Sequence, residues 1–223
     1  MIKDLRPQRG KHILPEMIEE GEHVGQDFKF AISDARKIAR SISAFANHDG
    51  GRLLVGVKDN GAIAGVRSDE DIYVVEQAAQ MYCLPPQDIE VKAYQVEGAV
   101  VYVVEIAAVG DERPVQVKEA GGKPRAYYRV ADENVAAHPL MVRAWRARRN
   151  SLEHDSGHGR LITADEQRLL AAISDNAGSI HLDDLPKHIK ASLTSTRQAV
   201  INAYSLGLVD FDHDADGFVI VAR

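Results

Sequence analysis

With 223 residues, 45% of them hydrophobic and 27% charged, the chain has the composition of a protein that buries a core and not of a disordered segment. Its net charge of −6 excludes a uniformly basic nucleic-acid-coating protein, and its single cysteine, Cys83, excludes an internal disulfide. No apolar run approaches the roughly 18 residues of a membrane span, and the opening MIKDLRPQRG lacks the apolar stretch of a secretory signal, so a cytoplasmic location and no membrane partner are expected.

In chain order, Ala35, Ile38, Ala39, Ile42, Phe45 and Ala46 recur at helical spacing, with Ser33 as a cap and Gly50-Gly51 as a stop. Arg52 to Val57 and Ala62 to Val66 read as two strands joined through Asp59-Asn60-Gly61, because Asn-Gly supplies the positive φ of a tight turn. A helix follows from Asp69 to Tyr82, ended by Pro85-Pro86. Strands are expected at Ile89 to Val96 and Val100 to Ile106, joined at Glu97-Gly98, and again near Ala126 to Val130. A helix from Pro139 to Arg149, anchored by Met141, Val142 and Trp145, closes this first domain, residues 1–150.

The polar, glycine-containing stretch 151–162 reads as a linker, with NSLEHDSGHGR over 150–160 as its clearest part. In the domain at 163–223, Thr163 and Glu166 form a capping-box pattern, helices are expected at Leu182 to Ile189 and Ser195 to Leu206, and two strands flank an Asp-rich turn with Gly217. The expected fold class is therefore α+β: a mixed sheet with packed helices, followed by a small domain that resembles a winged helix-turn-helix. Charge separates the two parts. Residues 1–150 hold 21 Lys+Arg against 22 Asp+Glu, and 151–223 hold 6 against 11, so any basic face must be local.

Residue types suggest where. Lys29, Lys58, Arg125 and Arg129 suit phosphate contacts, and Tyr127 and Tyr128 offer faces for base stacking. Asn47 with Gly50 and Gly51 forms a place where a ligand can approach the backbone. Arg143, Arg146, Arg148 and Arg149 make the densest basic run, suited to nucleic acid or to complementing a helix C-terminus. In the last third, Arg197, Gln198 and Asn202 can address base edges from one helix, whereas Asp210, Asp212, Asp214 and Asp216 would repel a duplex.

Three ordered motifs carry a resemblance. Gly21-Glu22, four residues, then Asp27-Phe28-Lys29 opens the first; Ala44-Phe45-Ala46-Asn47 leads into Gly50-Gly51 and Gly56-Val57-Lys58-Asp59-Asn60-Gly61; Tyr127-Tyr128-Arg129-Val130 comes last. Over residues 16–149 the chain resembles the Schlafen AlbA-type family of nucleic-acid-binding domains. That resemblance implies DNA or RNA as partner of the first domain and says nothing of residues 151–223; the first reading of the whole chain is a regulator, of transcriptional type, with the winged domain serving homodimer pairing or partner contact. Some members of the family cleave RNA with three acidic residues, and the matching positions are Glu22, Asp27 and Asp59. The alternative function is accordingly a metal-dependent ribonuclease, with Mg²⁺ or Mn²⁺ as cofactor on those carboxylates. A third reading is a protein-interaction module without nucleic-acid binding. No phosphate-cradling P-loop is present.

Overall fold

The computed structural model describes residues 5–66, 68, 70–153 and 161–223. The chain forms two compact units, one made of Met1–Gly110 and Val115–Ala136, the other of Asp111–Pro114 and Ala137–Arg223.

In the first unit the order is β1 (Gln8–Arg9), α1 (Ile13–Glu19), β2 (Gln26–Lys29), α2 (Ala35–Asn47), β3 (Gly51–Val55), α3 (Glu70–Gln77), β4 (Cys83–Leu84), β5 (Ile89–Val96), β6 (Ala99–Ile106), β7 (Gln116–Val117), β8 (Arg125–Val130) and β9 (Glu133–Ala136). One sheet has the order β1-β5-β6-β3-β2 and the other β4-β7-β8-β9. The larger sheet is mixed, since β2 and β3 run parallel while β3–β6 and β6–β5 are antiparallel. Alternation along its central strands buries both faces: Leu53, Val55, Tyr102 and Val104 pack with α2, while Leu54, Val101 and Val103 pack with Leu14 of α1 and Phe28.

Helix α2 is the hub. Ten of its residues are buried, its cap is Asp34 and not Ser33, and its Ile38, Ile42 and Phe45 share a core with Val75, Val115 and Tyr127. Gly51 follows because a side chain there would collide with the Phe45 ring and sit 2.8 Å from the Gly25 carbonyl. Helix α3 widens to π geometry over Ala78–Tyr82. Cys83 is fully buried, and burial pushes its thiol up to about 12.

The strand expected at Ala62 to Val66 does not form. The Asn-Gly turn is real, with Gly61 at φ 78°, but beyond it only Val57 and Ile63 pair, and the Gly65 amide returns to the Gly56 carbonyl at 2.9 Å. The edges of β3 are already taken by β2 and β6, so no place remains for a hairpin partner.

The second unit contains α4 (Pro139–Glu153), α5 (Ala164–Asp175), β10 (Ser179–His181), α6 (Leu185–His188), α7 (Leu193–Ser205), β11 (Val209–Asp214) and β12 (Gly217–Ala222). Its three strands form an antiparallel sheet ordered β10-β12-β11. Thr163 and Glu166 make the expected capping box on α5, and Ser192 caps α7 through the Ser195 amide. The boundary falls between Ala136 and Ala137, not at Asn150. Helix α4 belongs with the second unit, where it packs along α7 and Arg148 reaches the Tyr204 and Ser205 carbonyls at 3.5 and 3.3 Å. Asn150–Glu153 continue α4, and positions 154–160 of the expected linker lie outside the described residues. Among the described residues no helix is long and apolar enough to cross a membrane.

Candidate nucleic-acid interface

Two residues apart on β2, Asp27 and Lys29 extend from the same side of the strand, and Lys29 Nζ lies 2.7 Å from the carboxylate. The loop after α1 brings Glu22 alongside, where its Oε1 accepts the Phe28 amide at 2.8 Å. Desolvation holds the Glu22 carboxyl above its ordinary range, the hydrogen bond with Asp27 adds to this, and the Phe28 amide opposes it. Glu22 and Asp27 thus meet. Asp59 does not join them: it sits exposed in the turn after β3.

Among the described residues, the group of three potential ligand side chains within 4.8 Å of one another is His181, Asp214 and Asp216, and the set Glu22, Asp27, Asp59 is not such a group. Asp27 is 3% exposed and committed to Lys29, and one oxygen of Glu22 is committed to a backbone amide. These residues as arranged do not fit a Mg²⁺ or Mn²⁺ centre, which needs several unengaged oxygens around one point.

Two of the expected nucleic-acid contacts are corrected by burial. Arg129, on β8, is 1% exposed and lies over the Phe45 ring at 4.8 Å. It donates to Asn134 Oδ1 at 3.0 Å and to the His23 and Gln26 carbonyls at 3.1 and 3.0 Å, with Asp27 3.9 Å away. No phosphate can reach it. Asn47 is fully buried as well: its Oδ1 accepts the Val115 amide at 2.8 Å and its Nδ2 donates to the Val115 and Tyr127 carbonyls at 2.8 and 2.9 Å. One turn earlier, Ser43 accepts the Tyr127 amide and donates to Val115, so the end of α2 is a staple that fastens β8 to the helix. Tyr127 is 8% exposed, its hydroxyl donates to Glu119 at 2.6 Å, and burial followed by that bond pushes it up to about 12; its ring is no stacking platform. Tyr128 is half-buried beside His48, ring centres 4.8 Å apart.

The remaining cations differ in availability. Lys58 is exposed, with Nζ 5.3 Å from the centre of the Phe30 ring. Arg125 is exposed at the start of β8 and shares a hollow of about 350 Å³ with Lys123 and Arg40. Arg40 is bound to Glu119 through two bonds of 2.8 and 2.7 Å, which leaves Lys123 and Arg125 as the positive rim. Sequence reading passed over Lys123, although Gly121-Gly122-Lys123-Pro124-Arg125 carries the signal of a turn that displays two cations. By contrast, Gly50 and Gly51 line a cavity of about 710 Å³ that also holds Glu20, Asp49, Asp88, Glu90 and Glu105. A phosphate backbone is repelled from that side.

In the second unit Arg148 pairs with Asp111 at 2.5 Å and Arg149 lies 4.0 Å from Glu153, so these two members of the basic run are spent internally. Arg143 and Arg146 are exposed on α4, and Arg143 lines one cavity with Arg197 of α7. Gln198 is exposed and donates to Asn202 at 2.9 Å. On the β11–β12 hairpin, Asp210 binds Arg223 at 2.6 Å and Asp214 accepts the Asp216 amide at 2.9 Å.

The sequence matches the family described as Schlafen, AlbA_2 over residues 21–138. No curated protein matches it. Solved structures similar to it include the DIP2311 protein from Corynebacterium diphtheriae, 22% identical, covering 89% of this chain and 34% of that one with a TM-score of 0.45. Another is the N-terminal domain of a RecG-related protein from Nitrosomonas europaea, 22% identical, covering 59% of this chain and 96% of that one with a TM-score of 0.43. The chain thus spans about a third of the length of the Corynebacterium protein. The family match runs through the motifs at Asp27, Asn47 and Arg129, ends beside the boundary of the first unit and takes in more than half of the residues, so the chain belongs to the Schlafen AlbA_2 family.

Proposed function

We propose that this chain is a cytoplasmic, nucleic-acid-associated regulator of transcriptional type, in which the first unit engages DNA or RNA. Family membership supports the association. The observation that carries the placement is the exposed pair Lys123 and Arg125 on the turn into β8, on a different part of the unit from the acidic cavity. Lys58 adds a third exposed cation. Phosphate neutralisation releases counterions and supplies most of the affinity of such contacts, so a few unpaired cations matter more than overall charge.

After α4 the second unit has the order helix, strand, helix, helix, hairpin, which we read as a winged helix. Its hairpin carries Asp210, Asp212, Asp214 and Asp216 where a wing that grips phosphate carries Lys or Arg, and this favours pairing of copies or contact with another protein over duplex binding.

The test is a titration of the full chain, K123E/R125E and R197E with labelled DNA and RNA at two salt concentrations. The charge reversal in the first unit is expected to weaken binding about tenfold or more, while R197E leaves it within about twofold. Loss in R197E alone would move the interface to α7, and no binding by the unaltered chain would leave the protein-interaction reading.

A further inference from the structure

We propose that the second unit contains a binding pocket for a small organic acid, a carboxylate carried on an apolar body. The cavity, about 250 Å³, lies between the first turn of α4, the residues leading into α6, and the first turn of α7. Its floor is apolar: Leu140, Leu182 and Leu185 are each at most 5% exposed. Its polar groups are unlike the others in this unit. Arg148, Arg168 and Arg223 each pair with an aspartate, whereas Arg143 and Arg197, from different helices, line the same cavity with no hydrogen-bond or ion-pair partner among the described residues. Two guanidinium groups on one cavity, with no ion pair of their own, favour an anion placed between them, which forms charge-assisted bonds to both.

A third group points the same way. Thr196, also in the lining, is 1% exposed, and its Oγ1 has no hydrogen-bond partner among the described residues. Buried hydroxyls almost always find one, because leaving a donor unmade costs stability. The single carboxylate at the cavity, Asp183, faces His138 at 3.3 Å. Two arginines against one aspartate leave one positive charge, which matches a monoanion better than a phosphate dianion. The size agrees, since pockets that enclose drug-sized ligands measure about 300 to 1,000 Å³ and this one is smaller. Carboxylate on the arginines and hydrocarbon on the leucines satisfies both halves of the lining. The inference does not depend on the nucleic-acid reading.

Calorimetric titration of the full chain with butanoate, hexanoate and octanoate tests it, with acetate, inorganic phosphate and hexanol as comparisons. Saturable binding at one site is expected, tightening about fourfold for each added methylene until the cavity is full. R143Q/R197Q is expected to weaken the tightest acid at least about tenfold with its melting temperature unchanged, because both side chains are exposed and unpaired. T196V, which keeps the shape and removes the hydroxyl, is expected to weaken it several-fold. The proposal is overturned by no saturable binding of any of the three acids up to about 10 mM. It is equally overturned by phosphate or hexanol binding as well as hexanoate, or by undiminished binding to R143Q/R197Q.

Discussion

Asn47→Ala is expected to destabilise the first unit by about 3 kcal/mol or more and to lower its urea midpoint by roughly 1–3 M. The substitution removes one side chain and takes the partner from two buried backbone groups, the Val115 amide and the Tyr127 carbonyl, while the Val115 carbonyl keeps only the Ser43 hydroxyl. Each buried group left without a partner costs about 1–3 kcal/mol, and water cannot replace the amide at a fully buried position. Urea unfolding followed by circular dichroism measures the loss. Amide exchange at Val115 and Tyr127 localises it to the seam between α2 and β8. A change within about 0.5 kcal/mol would mean that Asn47 does not hold this seam.

Arg129→Met is expected to cost about 3–5 kcal/mol, the range for breaking a buried pair by removing one partner. Methionine keeps contact with the Phe45 ring but leaves Asn134 Oδ1 without its donor and the His23 and Gln26 carbonyls with only each other's backbone amides. Asp27, 3.9 Å from the guanidinium, loses one of its two cations and keeps Lys29. A double-mutant cycle with Asp27→Asn separates these contributions: part of the cost of R129M is expected to vanish in the D27N background, with a coupling of about 1 kcal/mol. Zero coupling would assign the whole effect to the carbonyl bonds.

The strongest local signals translated directly into structure. The apolar spacing of α2, the paired β5 and β6 strands around Glu97-Gly98 and the Thr163–Glu166 capping box all form as their residues suggest. Short-range patterns fail where distant partners decide. Strand β2 holds only Phe28 as a strong apolar residue, and it exists because β3, some 25 residues on, offers a parallel edge. Helix α4 has an apolar stripe whichever unit it joins, and nothing in that stripe names α7 as its neighbour.

The site shows the same limit in chemical form. Asn47, Arg129 and Tyr127 have the donors and rings that bind nucleic acid, and those same groups serve equally to pin a backbone inside a core. Residue type cannot separate the two uses; burial does. Lys58 and Arg125 did prove to be exposed, and Lys123 becomes visible as their companion only when the turn into β8 is seen beside Arg40 and Glu119.

The central claim is that nucleic acid is held by phosphate contacts on the first unit, and the salt dependence of binding tests it most directly. Affinities of the full chain and of K123Q/R125Q for labelled single strands and duplexes, measured across a salt series, give the slope of log K against log salt. Each phosphate contact contributes about −0.7 to that slope on a single strand and about −0.9 on a duplex, so the double variant is expected to be shallower by about 1.4 or 1.8. Equal slopes for the two proteins, or binding that does not change with salt, would contradict the account.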